Sequence, residues 1–178
     1  MNVPNAITVF RILLIPVFAW QFLTGNYYIA AAVYVVAWFS DMLDGYIARK
    51  YNLITDFGKL FDPLADKLLN LTALFLLAYI NTLPLFIPIL VLAKELTLVI
   101  GGAILLKSKH QVVAAKWPGK LATVLFTVSL LFMFFAKTSA VVFYLAWILL
   151  IGALVMAFVA LADYTINFLK SVKKNDVE

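Results

Sequence analysis

Five of the nine acidic residues in this chain fall between positions 41 and 66, and four of them sit in apolar surroundings at helical spacing. Asp41 and Asp44 are three residues apart and Asp62 and Asp66 four apart, so on helices each pair projects from one face. An antiparallel helix pair joined by the polar stretch 50–59 brings the two edges to one cavity. Four carboxylates in one cavity repel one another, and divalent cations relieve that repulsion. Oxygen ligands without His or Cys suit Mg²⁺ or Mn²⁺ rather than zinc. The cluster is also costly, since an aspartate at the centre of a bilayer is disfavoured by about 2.5–3.5 kcal/mol on insertion scales.

Small residues border the acids. Gly45, Ala48 and Gly58 remove side chains from the same neighbourhood and let a ligand approach the backbone. Arg49 offers a planar fork for phosphate. Simpler roles exist for each alone: small residues pack helices, Arg49 and Lys50 anchor a helix end at a charged leaflet, and Asp56 or Asp62 caps a helix. Pro63 follows Asp62, and its missing N–H is harmless only in a first helical turn or at a tolerated kink.

The elements that must carry these residues follow from composition. Of the 178 residues 65% are apolar and 13% charged, against roughly 45–50% and about 25% in a soluble domain, and mean hydropathy is +1.03. These values exclude a disordered chain, a collagen-like fibre and a water-soluble globule. With no cysteine, disulfide scaffolds and thiolate chemistry are excluded as well. Apolar runs and their breakers predict six spans at about 5–24, 28–49, 60–80, 83–106, 119–136 and 139–168. Backbone groups in lipid must be satisfied internally, so the spans are helices. The fold class expected is therefore all-α and polytopic, with six transmembrane helices in a single domain over 1–178 and a solvated tail at 170–178. The N-terminal segment lacks the features of a removable signal peptide.

Ten of the fourteen basic residues fall in the 49–59 and 107–120 regions or the C-terminal tail, and only Lys137 falls on the opposite side. The positive-inside rule then puts both termini and the acidic cluster on the cytoplasmic side. A formal charge of +5 suits an anionic membrane surface rather than nucleic acid. His110, alone in a basic loop, has no assigned role. A divalent-cation transporter would spread its acids over several depths, whereas here they gather at one end of two helices.

Taken together the residues read Asp41-x2-Asp44-Gly45-x2-Ala48-Arg49-x8-Gly58-x3-Asp62-x3-Asp66, which resembles the signature of the CDP-alcohol phosphotransferase family at all eight positions. The resemblance covers essentially the whole chain and implies six transmembrane helices, a homodimer, two Mg²⁺ or Mn²⁺ ions, and transfer of a phosphoalcohol group from a CDP-linked donor with release of CMP. It implies Asp41, Asp44 and Asp62 as metal ligands and Asp66 as both ligand and general base. It further implies that Gly45, Ala48 and Gly58 make room for the cytidine nucleotide, with Asp44 beside it, while Arg49 holds the donor phosphates.

Within the family, the opening 2–11 and the stretch 58–67 are similar to members that transfer the phosphatidyl group of CDP-diacylglycerol to glycerol 3-phosphate, and to CMP-forming members that use phosphatidylglycerol instead. The first acceptor is the expectation and the second its alternative. Asn5, Thr8 and Arg11 share one face of the first span and can reach nucleotide or phosphate, unless they form an interfacial cap with a snorkelling arginine. A glycerol 3-phosphate dianion needs cations beyond Arg49, and Arg11, Lys94 and Lys120 are the candidates. Lys94-Glu95 stands where the glycerol 3-phosphate branch typically has Arg-Glu, so an ammonium replaces a bidentate fork.

Overall fold

The computed structural model describes residues 3–51, 55–107 and 117–175, which form six helices and no strand. In chain order these are α1 (Val3–Leu23), α2 (Tyr27–Lys50), α3 (Asp56–Tyr79), α4 (Phe86–Lys107), α5 (Trp117–Phe134) and α6 (Ala140–Asn175). The all-helical expectation is met, with each predicted span lying largely within one helix.

The boundaries have local causes. After α1, Gly25 takes φ +82, its N–H bonds to the Phe22 carbonyl, and the Asn26 N–H bonds to the Gln21 carbonyl at 3.0 Å. That is a Schellman ending, which needs a left-handed residue after the cap. The same motif closes α3 with Asn81 at φ 58, one of the few side chains that tolerate that conformation. There the Asn81 N–H bonds to the Ala78 carbonyl and the Thr82 N–H to the Leu77 carbonyl. At the other end of α3, the Thr55 side chain accepts the Gly58 N–H, so the helix begins at Asp56 rather than near 60. Pro63 therefore lies beyond the first turn, where its ring leaves the carbonyl at position 59 without the usual helical donor. Helix α6 continues to Asn175, past the end of its apolar pattern.

The described residues form two compact units, Met1–Val91 and Leu92–Glu178, divided within α4. In the first unit α1 packs against both α2 and α3. Phe18 and Phe22 of α1, Ala30, Tyr34 and Ala37 of α2, and Ala65, Leu69, Ala73, Leu74 and Leu77 of α3 form its core. Apart from the adjacent Ala73 and Leu74, these positions recur at three- and four-residue steps within each helix, the mark of one buried stripe per helix. The α2 stripe runs from Ala30 through Tyr34 and Ala37 directly into Asp41 and Asp44, so packing alone aims the acids inward. In the second unit α5 packs on α6. An added Cβ on Gly119 would lie 3.9 Å from the Ala160 Cβ, and one on Gly152 4.0 Å from Leu125. Rising numbers on one helix meet falling numbers on the other, so the pair is antiparallel.

Large apolar side chains remain exposed on every helix, among them Leu13, Trp20, Phe39, Ile148 and Ile151. Such a surface suits lipid rather than water. Two helical stretches, Pro4–Leu23 and Ala140–Asp163, are long and apolar enough to cross a membrane. In α2 and α3 the inward-facing aspartates themselves lower the apolar content.

Candidate active site

The site grows from the N-terminal half of α1. Thr8 and Arg11, three residues apart, are completely buried. Arg11 donates from Nη1 to Asp41 Oδ1 at 2.6 Å and from Nη2 to Asp44 Oδ2. One guanidinium thus bridges the two acids of α2. The side chain of Asp44 is 2% exposed and that of Asp41 37%, so the bridge has a closed side and an open one. Arg11 Nε is buried with no hydrogen-bond partner.

Helix α3 brings in the second acidic edge. Asp62 stands close enough to Asp41 and Asp44 to act on both electrostatically. Its Oδ1 accepts from the Thr8 hydroxyl, for which the Pro4 carbonyl at 3.1 Å is the alternative acceptor. Thr55 donates to Asn5 Oδ1 at 2.7 Å while accepting the Gly58 N–H at 3.0 Å. The start of α3 is thereby tied to the start of α1. Gly58 lies inside this knot, where a Cβ would come within 3.3 Å of Asp62 Oδ2 and of Thr55 Oγ1 and 3.6 Å of Asn5 Oδ1. A side chain here would press on Asp62 and Thr55, which would have to give by a few tenths of an ångström.

Asp66, one turn after Asp62, is held differently. Asn70 Nδ2 donates to Asp66 Oδ1 at 3.2 Å, and the buried Tyr34 hydroxyl donates to Asn70 Oδ1 at 2.6 Å. Gly45 and Ala48 are half-buried on the following turn of α2. The Arg49 side chain lies outside the described residues. Lys94 and Lys120 belong to the second unit. Lys94 is mostly buried and pairs with Glu95 at 2.6 Å, whereas Lys120 is exposed.

The structure therefore gathers Asn5, Thr8, Arg11, Asp41, Asp44, Gly58 and Asp62 into one polar core. Arg11, expected at an acceptor phosphate, is engaged by Asp41 and Asp44 in this structure. Thr55, Tyr34 and Asn70 were not anticipated from the sequence. A signal existed for two of them: Asn70 lies one helical step beyond Asp66, and Thr55 stands three before Gly58 in the position of a cap.

As they stand, no three acidic side chains among the described residues are arranged to hold a metal ion. The donor set still suits one. It contains only carboxylate oxygens, and two of its aspartates already share one cationic group, the Arg11 fork. Hard oxygen donors around a centre of positive charge are the chemistry of a Mg²⁺ or Mn²⁺ site.

Residues 1–163 match the model of a family described as CDP-alcohol phosphatidyltransferase. A Bacillus subtilis protein named CDP-diacylglycerol–glycerol-3-phosphate 3-phosphatidyltransferase is 37% identical over 137 residues, covering 68% of this chain and 70% of its own. An Aquifex aeolicus protein of the same name is 33% identical over 181 residues, covering 98% of this chain and 99% of its own. A Mycobacterium tuberculosis protein named probable phosphatidylglycerophosphate synthase is 29% identical over 177 residues, covering 96% and 83%.

Proposed function

The chain belongs to the CDP-alcohol phosphatidyltransferase family, and on that premise we propose that it transfers the phosphatidyl group of CDP-diacylglycerol to glycerol 3-phosphate, giving phosphatidylglycerophosphate and CMP. The observation that carries the reading is the Arg11 guanidinium held between Asp41 and Asp44 of α2, with Asp62 of α3 bonded to Thr8 one turn before Arg11 on α1. Relatives that align over nearly the whole chain carry that activity in their names.

The chemistry asks little covalent work of the protein. Phosphoryl transfer needs negative charge neutralised and a nucleophile held in line. In our reading Asp41, Asp44, Asp62 and Asp66 hold two divalent ions. When bound, these ions neutralise charge on the pyrophosphate and favour the deprotonated acceptor hydroxyl. Asp66 takes the proton of that hydroxyl. Asn5, Thr8, Gly45, Ala48 and Gly58 form the nucleotide cradle beside Asp44, with Gly58 leaving the space that a side chain would fill. Arg49 holds the donor phosphates. Arg11 is assigned to the acceptor phosphate, which requires it to give up a carboxylate partner.

The protein is membrane-associated. We place six spans in the bilayer, both termini and the site on the cytoplasmic side, the whole chain in one domain, and two chains in a homodimer. The acyl chains of the donor then stay in lipid while its headgroup enters the polar core.

The test is CMP release by the purified protein with CDP-diacylglycerol and Mg²⁺, offering glycerol 3-phosphate, phosphatidylglycerol or serine. Release with glycerol 3-phosphate alone supports the proposal. Release only with phosphatidylglycerol would replace it with cardiolipin synthesis, and release with none would overturn the substrate assignment.

A further inference from the structure

The general base assigned above has a support that the signature does not contain. Asp66 and Asn70 are one helical step apart on α3, so their side chains share a face. Asn70 reaches back with Nδ2 to Asp66 Oδ1 at 3.2 Å, and its own carbonyl oxygen takes the Tyr34 hydroxyl at 2.6 Å. An amide has two chemically different ends. Because the Tyr34 hydroxyl donates to the oxygen end, the nitrogen end is turned toward Asp66. Tyr34 in turn has little freedom: it is 0% exposed, and its ring lies 5.6 Å from that of Phe18, which packs on Phe22 at 5.9 Å. Three helices therefore fix one carboxylate: α1 through Phe18, α2 through Tyr34 and α3 through Asn70.

We infer that Asn70, oriented by Tyr34, is a positioning residue that holds the Asp66 carboxylate in the orientation needed to accept the acceptor's hydroxyl proton. The inference rests on the proposed phosphatidyl transfer and assigns to that reaction two residues outside the eight-residue pattern. Neither touches the substrates. Both act through Asp66, and that indirectness sets what an experiment must read. A hydrogen-bond donor to a carboxylate favours a single orientation. Without it, Asp66 keeps its place in the helix but loses its aim, and misaimed groups slow the chemical step more than they weaken binding.

The experiment is a double-mutant cycle on the purified full-length protein in lipid–detergent micelles, with Mg²⁺, CDP-diacylglycerol and glycerol 3-phosphate. The variants are Tyr34→Phe, Asn70→Leu and the two combined. Tyr34→Phe removes one hydroxyl from a packed ring and serves as the variant that keeps the fold. Each single change should lower kcat by roughly 10–100-fold, the usual effect of losing the partner of a catalytic ligand, with the KM for CDP-diacylglycerol within about twofold of wild type. The double variant should be no slower than Asn70→Leu alone, because Tyr34 has nothing to orient once the amide is gone. Asn70→Gln, which keeps the amide, should recover part of the loss relative to Asn70→Leu. Unchanged kcat in Tyr34→Phe, losses that multiply in the double variant, or an effect confined to KM would each overturn the inference. A wild-type protein that releases no CMP would instead reject the transfer reaction itself, so the two failures are distinct.

Discussion

At the scale of the residue, the site solves a charge problem. Asp44 is almost fully enclosed and Arg11 completely so, and each leaves the other's charge without compensation if it is removed. Removing one member of a buried pair typically costs roughly 3–5 kcal/mol because a charge is left without compensation. Arg11→Ala should therefore lower the thermal midpoint measured without divalent cations. Mg²⁺ should raise that midpoint more in the variant than in wild type, since Asp41 and Asp44 are then open to a competing cation. Equal midpoints, or an equal response to Mg²⁺, would show that the bridge does not hold the acids. Asp66→Asn makes a different prediction. Turnover should fall by about 10²–10⁴-fold, the range of general-base contributions, while CDP-diacylglycerol still protects the protein from thermal unfolding. Wild-type-like turnover would remove Asp66 from the role of base. The acids themselves were legible because their spacing matches the helical period. Their partners were not: which side chain of a neighbouring helix meets Asp44, or how an amide is turned by a tyrosine 36 positions away, depends on helix packing that no local pattern encodes.

Individual elements show why the three helices meet where they do. Thr55 caps α3 and also donates to Asn5, so one hydroxyl sets both where α3 starts and how it docks on α1. Loss of an N-cap costs about 1 kcal/mol, and here the docking bond is lost with it. Thr55→Ala should thus lower the thermal midpoint and also weaken donor binding through Asn5, read as a raised KM for CDP-diacylglycerol. Thr55→Ser should restore both. A Thr55→Ala variant with a lowered midpoint and an unchanged KM would reduce Thr55 to a cap alone. The helix ends at Gly25 and Asn81 were readable from the sequence because left-handed turns demand particular residues. The start of α3 was read four residues late because the apolar run begins after its polar first turn. Helix α6 runs on past the apolar span to Asn175 because a helix needs no apolar period to continue.

For the whole molecule, six helices stand beside two stretches that, among the described residues, are long and apolar enough to cross a bilayer. The two arrangements place Tyr51 on opposite sides of the membrane. If only α1 and α6 cross, everything between them lies on one side, so Thr24, Tyr51 and Ser139 share a compartment. If all six cross, Tyr51 at the end of α2 returns to the side of the termini, while Thr24 and Ser139 stay opposite. The energetic argument favours six. Helices α2 and α3 carry Val35, Val36, Phe39, Leu68 and Phe75 exposed to the surroundings, a cost in water and a gain in lipid. The chain has no cysteine, so single cysteines can be read without background. With Thr24→Cys, Tyr51→Cys and Ser139→Cys in intact cells, an impermeant thiol reagent should label the first and third from outside and reach the second only after permeabilisation. Labelling of all three from outside would leave α2 through α5 off the crossing path and overturn the six-span arrangement, because α2 packed along α1 with Asp41 and Asp44 on Arg11 must cross with it.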